Sequence, residues 1–249
     1  MKKLITLFML LSLIPVTVKS QALIALLLGD KLKTDNVKMG LFLCEQSSFI
    51  TNTKTVAFRP NLSFGIGAYV DVKLDKKNKW ILQTYLLFKA PKGAAGLNVE
   101  KESFPVDPLL INNMDMIKRN ITYLQLTPVM RYCFIPSFSL GVGPYVGFAV
   151  SGKDTYSAKM DKGELSHKMK ITKKINPVDF GIAVDLQYRF LKGRGLQLNL
   201  RYEQGLINVY RKSTEMKGLN MACHLGIGIP MSSEKKKEKE QKQITEPNM

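Results

Sequence analysis

The chain has 249 residues, 45% of them hydrophobic, with 37 Lys and Arg against 20 Asp and Glu, a formal net charge of +17. Three cysteines exclude a dense disulfide framework and leave at least one thiol unpaired; two distant histidines and no Cys-x-x-Cys argue against a metal site. A charge of this size usually suggests nucleic acid, but the first residues point elsewhere.

Lys2 and Lys3 precede an apolar run from Leu4 to Val18, with small residues near Ser20 and Ala22, the pattern of a secretory signal. Cleavage is expected to leave Gln21 first, although an uncleaved anchor is the alternative; the run is short of the roughly 20 residues a spanning helix needs. The first cysteine is Cys44, so no lipid anchor is expected. The domain reading is a signal peptide over 1–20, a periplasmic segment over 21–36, a barrel over 37–230 and a charged, disordered periplasmic tail over 231–249. An exported chain does not meet nucleic acid. Its expected partners are outer-membrane lipid, lipopolysaccharide phosphates, the barrel insertion machinery and other envelope proteins.

No later stretch resembles a spanning helix, so a membrane protein here must be a closed barrel, the other structure that satisfies its backbone in lipid. Eight strands are predicted, at roughly 37–46, 60–74, 79–90, 120–134, 138–152, 177–190, 195–208 and 217–230. Asp75-Lys76-Lys77-Asn78, Ile135-Pro136-Ser137 and Leu191-Lys192-Gly193-Arg194 join strands two and three, four and five, and six and seven. Between them lie connections of about 13, 29, 24 and 8 residues. Short turns alternating with long loops are the outer-membrane pattern, with turns periplasmic, loops extracellular and, for an even strand count, both ends of the barrel in the periplasm.

The sixth predicted strand alternates without error. Val178, Phe180, Ile182, Val184, Leu186, Tyr188 and Phe190 share one face, and Asp179, Gly181, Ala183, Asp185, Gln187 and Arg189 the other. Glycine identifies the inside, because the less apolar faces carry Gly65, Gly67, Gly141, Gly143, Gly147, Gly181, Gly226 and Gly228. The lumen of an eight-stranded barrel barely admits side chains, so glycine there has a steric reason. The opposite rows, such as Phe138 to Val150 and Leu219 to Ile229, contain no charge and suit lipid. Trp80, Phe134, Phe138, Tyr188 and Phe190 near the turns, and Phe88, Phe148, Phe180 and Tyr202 near the loops, read as two interfacial girdles. Pro128 and Pro144 fall inside strands, and local bulges are expected to accommodate them. The third strand alternates poorly, with Ile81 and Leu87 on the inner face. By strand parity Cys44 and Cys133 share a side and Cys223 faces the other, so all three are expected as free thiols.

Five stretches carry a resemblance to the PorT-like outer-membrane β-barrel proteins of Bacteroidota: Ala22 to Lys31, Tyr123 to Pro128, Gly141-Val142-Gly143-Pro144-Tyr145, Asp179-Phe180-Gly181 and Gly218-Leu219-Asn220-Met221. They span most of the chain after the signal. The resemblance implies an all-β, eight-stranded antiparallel up-and-down transmembrane barrel that binds or supports something at the envelope. One departure is the C-terminus: such barrels commonly end on an aromatic residue, whereas Ile229-Pro230-Met231 and a lysine-glutamate tail stand here.

The candidate inward polar set is Asp71, Arg131, Asp179, Asp185, Arg189, Arg201, Glu203 and His224, with Lys73. Paired charges filling a narrow lumen would hold it closed, since buried ions need partners. The rival reading is a small outer-membrane lipid or protein hydrolase, with His224 as base and Glu203 orienting it, but the neighbouring strands offer no serine. A soluble lipocalin-like periplasmic carrier is the other alternative, weakened because the single Trp80 lacks a Gly-x-Trp context. Gly141-x-Gly143 and Gly226-x-Gly228 lie within strands, so neither is a nucleotide loop, and no cofactor is expected. The connection from Lys153 to Lys174 holds Lys153, Lys159, Lys162, Lys168, Lys170, Lys173 and Lys174, candidates for contact with lipopolysaccharide phosphates. The reading is a non-enzymatic barrel with a closed lumen, without a porin's pore.

Overall fold

The computed structural model describes residues 37–75, 77, 79–102, 116–160, 163–193, 195–212 and 216–231. The expected signal peptide, N-terminal segment and most of the tail lie outside the described residues, as does Lys162.

Eight antiparallel strands close a ring: β1 (Val37–Ile50), β3 (Asn61–Lys73), β4 (Trp80–Asn98), β5 (Met116–Ile135), β6 (Phe138–Met160), β8 (Val178–Arg189), β9 (Gln197–Gly205) and β10 (Asn220–Pro230). Each pairs with its neighbours in chain order, and β10 returns to β1 through the register Gly40 opposite Pro230 to Ile50 opposite Asn220. Closure leaves no open edge in the ring. The predicted eight-stranded barrel is the observed one.

Two additional strands change the reading of the long connections. β2 (Thr55–Arg59) pairs with the far end of β4, and β7 (Gly163–Lys170) pairs with the far end of β6. The predicted 29-residue connection is shortened because β4 runs on to Asn98, a helical turn covers Val99–Glu102, and β5 starts at Met116. The stretch from Lys153 to Lys174 is mainly a β-hairpin followed by a 3-10 turn at Thr172–Lys174, which corrects the expectation of a loop. The wall made by β4, β5 and β6 therefore stands taller than the opposite wall, where β9 ends at Gly205 and β10 begins at Asn220.

Period 2 governs the spanning rows. Along β8 every odd residue from Asp179 to Arg189 is buried and every even residue from Phe180 outward is exposed. Outward rows such as Val142, Leu140, Ile182, Val184, Leu225 and Ile227 are large, apolar and exposed, a face that only lipid makes favourable. At the turn end, Trp80 packs edge-on against Tyr132 at 5.0 Å, Tyr132 against Phe134 at 5.1 Å and Tyr188 against Phe190 at 5.1 Å. These rings form the girdle on that side.

Glycine marks the inside for a more particular reason than narrowness. A Cβ on Gly226 would meet the Phe42 ring at 2.3 Å, and one on Gly181 would meet the Tyr145 ring at 2.6 Å. Inward aromatic rings occupy the space that a side chain would need at glycines on adjoining strands. In β4, Gly96 takes a φ of 70° beside a register shift between Ala94 and Leu97, a bulge that only glycine fits without strain.

The prolines correct another expectation. Leu126 pairs with Val146 and Met130 with Val142, the same register on both sides, so Pro128 and Pro144 face each other without a bulge. Each lacks an N–H, and placing them opposite one another confines both losses to one step of the β5–β6 ladder. In the third predicted strand Ile81, Gln83, Tyr85 and Leu87 all point inward; alternation is lost only beyond them, at a register shift between Leu87 and Ala90.

Candidate functional site

The lumen is assembled from long polar side chains on seven of the eight ring strands, all but β6. The deepest knot centres on Asp185 of β8. Arg131 and Arg201 both pair with it, Arg201 Nη2 at 3.0 Å, and Asn199 donates to the same carboxylate at 2.8 Å. The Arg201 guanidinium also stacks 3.9 Å from the centre of the Tyr85 ring. Nearer the turns, Arg189 donates to Asp71 at 2.7 Å, and Gln83, Gln187 and Gln197 bond one another across the barrel.

A second knot surrounds Glu203. Lys92 lies 2.8 Å from Glu203 and 3.3 Å from Asp179, with its ammonium 3.7 Å above the Tyr145 ring. Gln125 donates to Glu203 at 2.8 Å, and Asn220 to Asp179 at 3.0 Å. His224 Nε2 is 3.3 Å from Glu203, while the Gln46 amide donates to Nδ1 at 2.8 Å. With the Gln46 amide against Nδ1, the ring turns its Nε2 toward the carboxylate.

The structure therefore brings together all eight predicted inward residues, in two knots and the Arg189–Asp71 pair; Lys73 sits half-buried at the end of β3. It adds three that the sequence reading missed. Lys92 follows Pro91 and precedes Gly93, a turn-like context that ended the predicted strand early. Arg119 and Asp154 lay in predicted connections, yet they pair bidentately at 2.6 and 2.8 Å, and Arg119 also donates to Tyr210 Oη at 2.9 Å. Continuous alternation through Ile117, Arg119, Ile121 and Tyr123 was the available signal. Counting these, five paired cations (Lys92, Arg119, Arg131, Arg189, Arg201) meet five carboxylates (Asp71, Asp154, Asp179, Asp185, Glu203). The interior pairs are balanced, so the net positive charge resides elsewhere in the chain.

Above the spanning rows the interior turns apolar. Leu97, Ile117, Ile121, Tyr156, Ile171, Ile175 and Val209 form a core across the mouth, with the Arg119–Asp154–Tyr210 triad inside it. Glu102 accepts from the Lys54 backbone N–H at 2.7 Å there, and burial pushes its carboxyl above the usual range. At the opposite end Asp75 accepts from the Trp80 N–H at 2.8 Å, which draws its carboxyl below that range.

A hydrolytic site at His224 would need a nucleophile within reach of the ring. Cys44, not a serine, is the nearest nucleophile to His224, with Sγ 3.9 Å from Nδ1. Nδ1 already accepts from Gln46, and His224, Glu203 and Cys44 are all buried under the mouth core. Cys133 is half-buried and Cys223 exposed, and all three thiols are free. Among the described residues no cluster of His, Cys, Asp and Glu suits a metal ion.

A sequence model described as "Outer membrane protein beta-barrel domain" matches residues 35–211. The chain belongs to this family of outer-membrane β-barrel proteins. No curated protein sequence matches it. Among solved structures it is similar to Ail, the attachment invasion locus protein of Yersinia pestis, at 12% identity over 78% of this chain and 97% of that one, with a TM-score of 0.41. Neisserial surface protein A follows at 8% identity, 78% and 96% coverage and a TM-score of 0.34. OprG from Pseudomonas aeruginosa has 12% identity, 79% and 95% coverage and a TM-score of 0.31. Barrels of this class usually carry long connections at the extracellular end and tight turns at the periplasmic end.

The candidate lipopolysaccharide lysines separate by position. Lys153 stands on β6, Lys168 and Lys170 on β7, and Lys173 and Lys174 on the 3-10 turn, all exposed; Lys159 lies one residue before the end of β6, its side chain outside the described set. His167, within the predicted connection from Lys153 to Lys174, lies on β7 opposite Tyr156.

Proposed function

We propose that the protein is a non-enzymatic outer-membrane barrel with a closed lumen, whose role in the envelope is structural or binding, and whose basic extracellular end contacts lipopolysaccharide phosphates. The observation that carries this reading is the filled lumen: side chains of Arg131, Arg201, Asp185 and Glu203 with at most 1% relative exposure occupy the interior where a channel or a substrate cleft would have to lie. Hydrolysis by His224 would need a substrate path and a free Nδ1, and both are taken up by neighbouring side chains. The lumen charges serve to hold the strands together; removing one partner from a buried pair leaves an uncompensated charge. The PorT-like resemblance supports placement in Bacteroidota and an envelope-assembly role beside the insertion machinery and other envelope proteins. Export by a signal peptide cleaved after Ser20 completes the reading, with the lysine-glutamate tail in the periplasm.

The test has two arms. In outer-membrane extract, the unboiled protein should run faster than the boiled form, because a closed barrel resists detergent; recovery as a water-soluble protein without that shift overturns the membrane reading. Refolded wild type and His224→Asn are then assayed for turnover of lipid and protein substrates. The expected result is none in either. Wild-type turnover that falls by roughly 10²–10⁴-fold in the variant, with the gel shift intact, would establish a general base and end the non-enzymatic reading.

A further inference from the structure

The register of β5, β6 and β7 places four lysines on one outward sheet face. Lys118 lies opposite Thr155, and Thr155 opposite Lys168; one row further toward the membrane, Asn120 lies opposite Lys153, and Lys153 opposite Lys170. Residues directly opposite in an antiparallel ladder point the same way. The inward neighbours confirm the side: Arg119 and Asp154 are fully buried, and Met169 packs on the mouth core, while Lys118, Lys153, Lys168 and Lys170 are exposed. Neither row contains an acid, and none of the four lysines takes part in an ion pair among the described residues.

Two features point to a ligand. Lys153 and Lys170 are a like-charge pair directly across strands, with Cβ atoms roughly 5 Å apart, an arrangement that disfavours the hairpin unless an anion lies between them. The rows also continue the lipid-facing surface. Val150, 64% exposed, ends the apolar row of β6, and Lys153 follows about 10 Å further along the strand. For a strand tilted by about 40° that is roughly 8 Å above the hydrocarbon, the depth of the headgroup layer.

Resting on the proposed lipopolysaccharide contact, we infer that this lysine-bearing wall of β5–β6–β7, and not the loop tips, is the site, and that its ligand is the phosphorylated disaccharide headgroup of lipid A in the outer leaflet. Lys153 and Lys170 hold one phosphate between them, Lys118 and Lys168 reach from the row above, and Asn120 and Thr155 supply neutral hydrogen bonds to the sugar. The site is outside the lumen and needs no opening of the barrel.

The experiment uses the full mature chain refolded into phosphatidylcholine vesicles and measures retention of diphosphoryl lipid A, dephosphorylated lipid A, phosphatidylglycerol and whole lipopolysaccharide. Wild type should retain diphosphoryl lipid A and lipopolysaccharide well above the other two. K118Q/K153Q/K168Q/K170Q should weaken that retention on the order of 10²-fold, since each lysine near an anionic surface contributes separately, while K173Q/K174Q should leave it within about twofold. Lys153→Glu guards against a folding defect: it pairs with Lys170, so its gel shift should persist to at least the wild-type temperature while lipid A retention falls. Loss in K173Q/K174Q with retention in the wall variants moves the site to the loops and overturns this inference, leaving the lipopolysaccharide reading intact. Equal retention of phosphatidylglycerol overturns the headgroup assignment, as does retention of lipopolysaccharide without lipid A. Retention of none of them by wild type overturns both readings.

Discussion

β5 and β6 each run through two environments, and their polarity inverts between them. Within the membrane their outward rows are Leu124, Leu126, Met130, Leu140, Val142 and Phe148, and their inward rows include Arg131, Gln125 and Gly141. Above it the outward rows are Lys118, Asn120, Lys153 and Thr155, and the inward rows are Ile117, Ile121, Tyr156 and Ala158 around one ion pair. β5 keeps its alternation throughout, whereas β6 passes a register shift beside Val150 that moves its inward positions from odd to even residues; in both, the solvent sets the sign of the polarity. Below the boundary lipid rewards apolar side chains outside and forces charge into the lumen, and above it water does the reverse. The lesson is that alternation alone reports a two-faced strand, and the sign of the alternation reports what surrounds it.

That comparison can be broken most severely in the lower lumen. Asp185→Asn leaves Arg131 and Arg201 without their shared carboxylate, and a stranded buried charge costs about 3–5 kcal/mol. The expected outcome is little or no folded barrel, read as loss of the fast-running unboiled species after refolding. A folded variant of wild-type thermal resistance would mean that the lumen charges are not what holds the strands together.

A smaller effect separates the two environments on one strand and one face. Val142→Arg places a charge against the hydrocarbon, at a cost of about 2–4 kcal/mol near mid-membrane, and assembly should fail or slow markedly. Thr155→Arg, also outward on β6 but above the boundary, should assemble normally in the same refolding assay. Equal behaviour of the two would place the boundary elsewhere.

The mildest change probes the upper interior. Tyr210→Phe removes the hydroxyl that accepts from Arg119, and a hydrogen bond to a charged group contributes about 1.5–3 kcal/mol. The loss should stay local: an unchanged gel shift, with faster protease cleavage in the 206–219 connection. If the gel shift were lost instead, the mouth core and the barrel would form one cooperative unit.

Much of the barrel was legible because membrane strands obey a strict rule. Error-free alternation in Val178 to Phe190, glycine confined to one face, and tight turns alternating with long connections each follow from a thin wall between lipid and a narrow lumen. The inward polar set was legible for the same reason, since parity alone assigns a side. The extensions were not. Where β4, β5 and β6 leave the membrane, the sign of the alternation inverts, Pro91-Lys92-Gly93 interrupts it in β4, and a register shift beside Val150 changes its phase in β6, so those stretches read as connections. Lys92, Arg119 and Asp154 were lost with them.

The sequence by itself determined the eight ring strands, their facing within the membrane and the nature of the solvent around them, because side-chain period and hydrophobicity are local properties of the chain. Only the tertiary structure decided which charge meets which. Lys92 reaches Glu203 and Asp179 across the lumen, His224 meets Gln46 from β1, and the phenyl ring of Phe42 settles over Gly226. It also decided that Pro128 faces Pro144 in unbroken register and that Lys153 and Lys170 stand side by side on an outer wall. These pairings depend on how strands far apart in the sequence are staggered when the ring closes, and no local pattern carries that stagger.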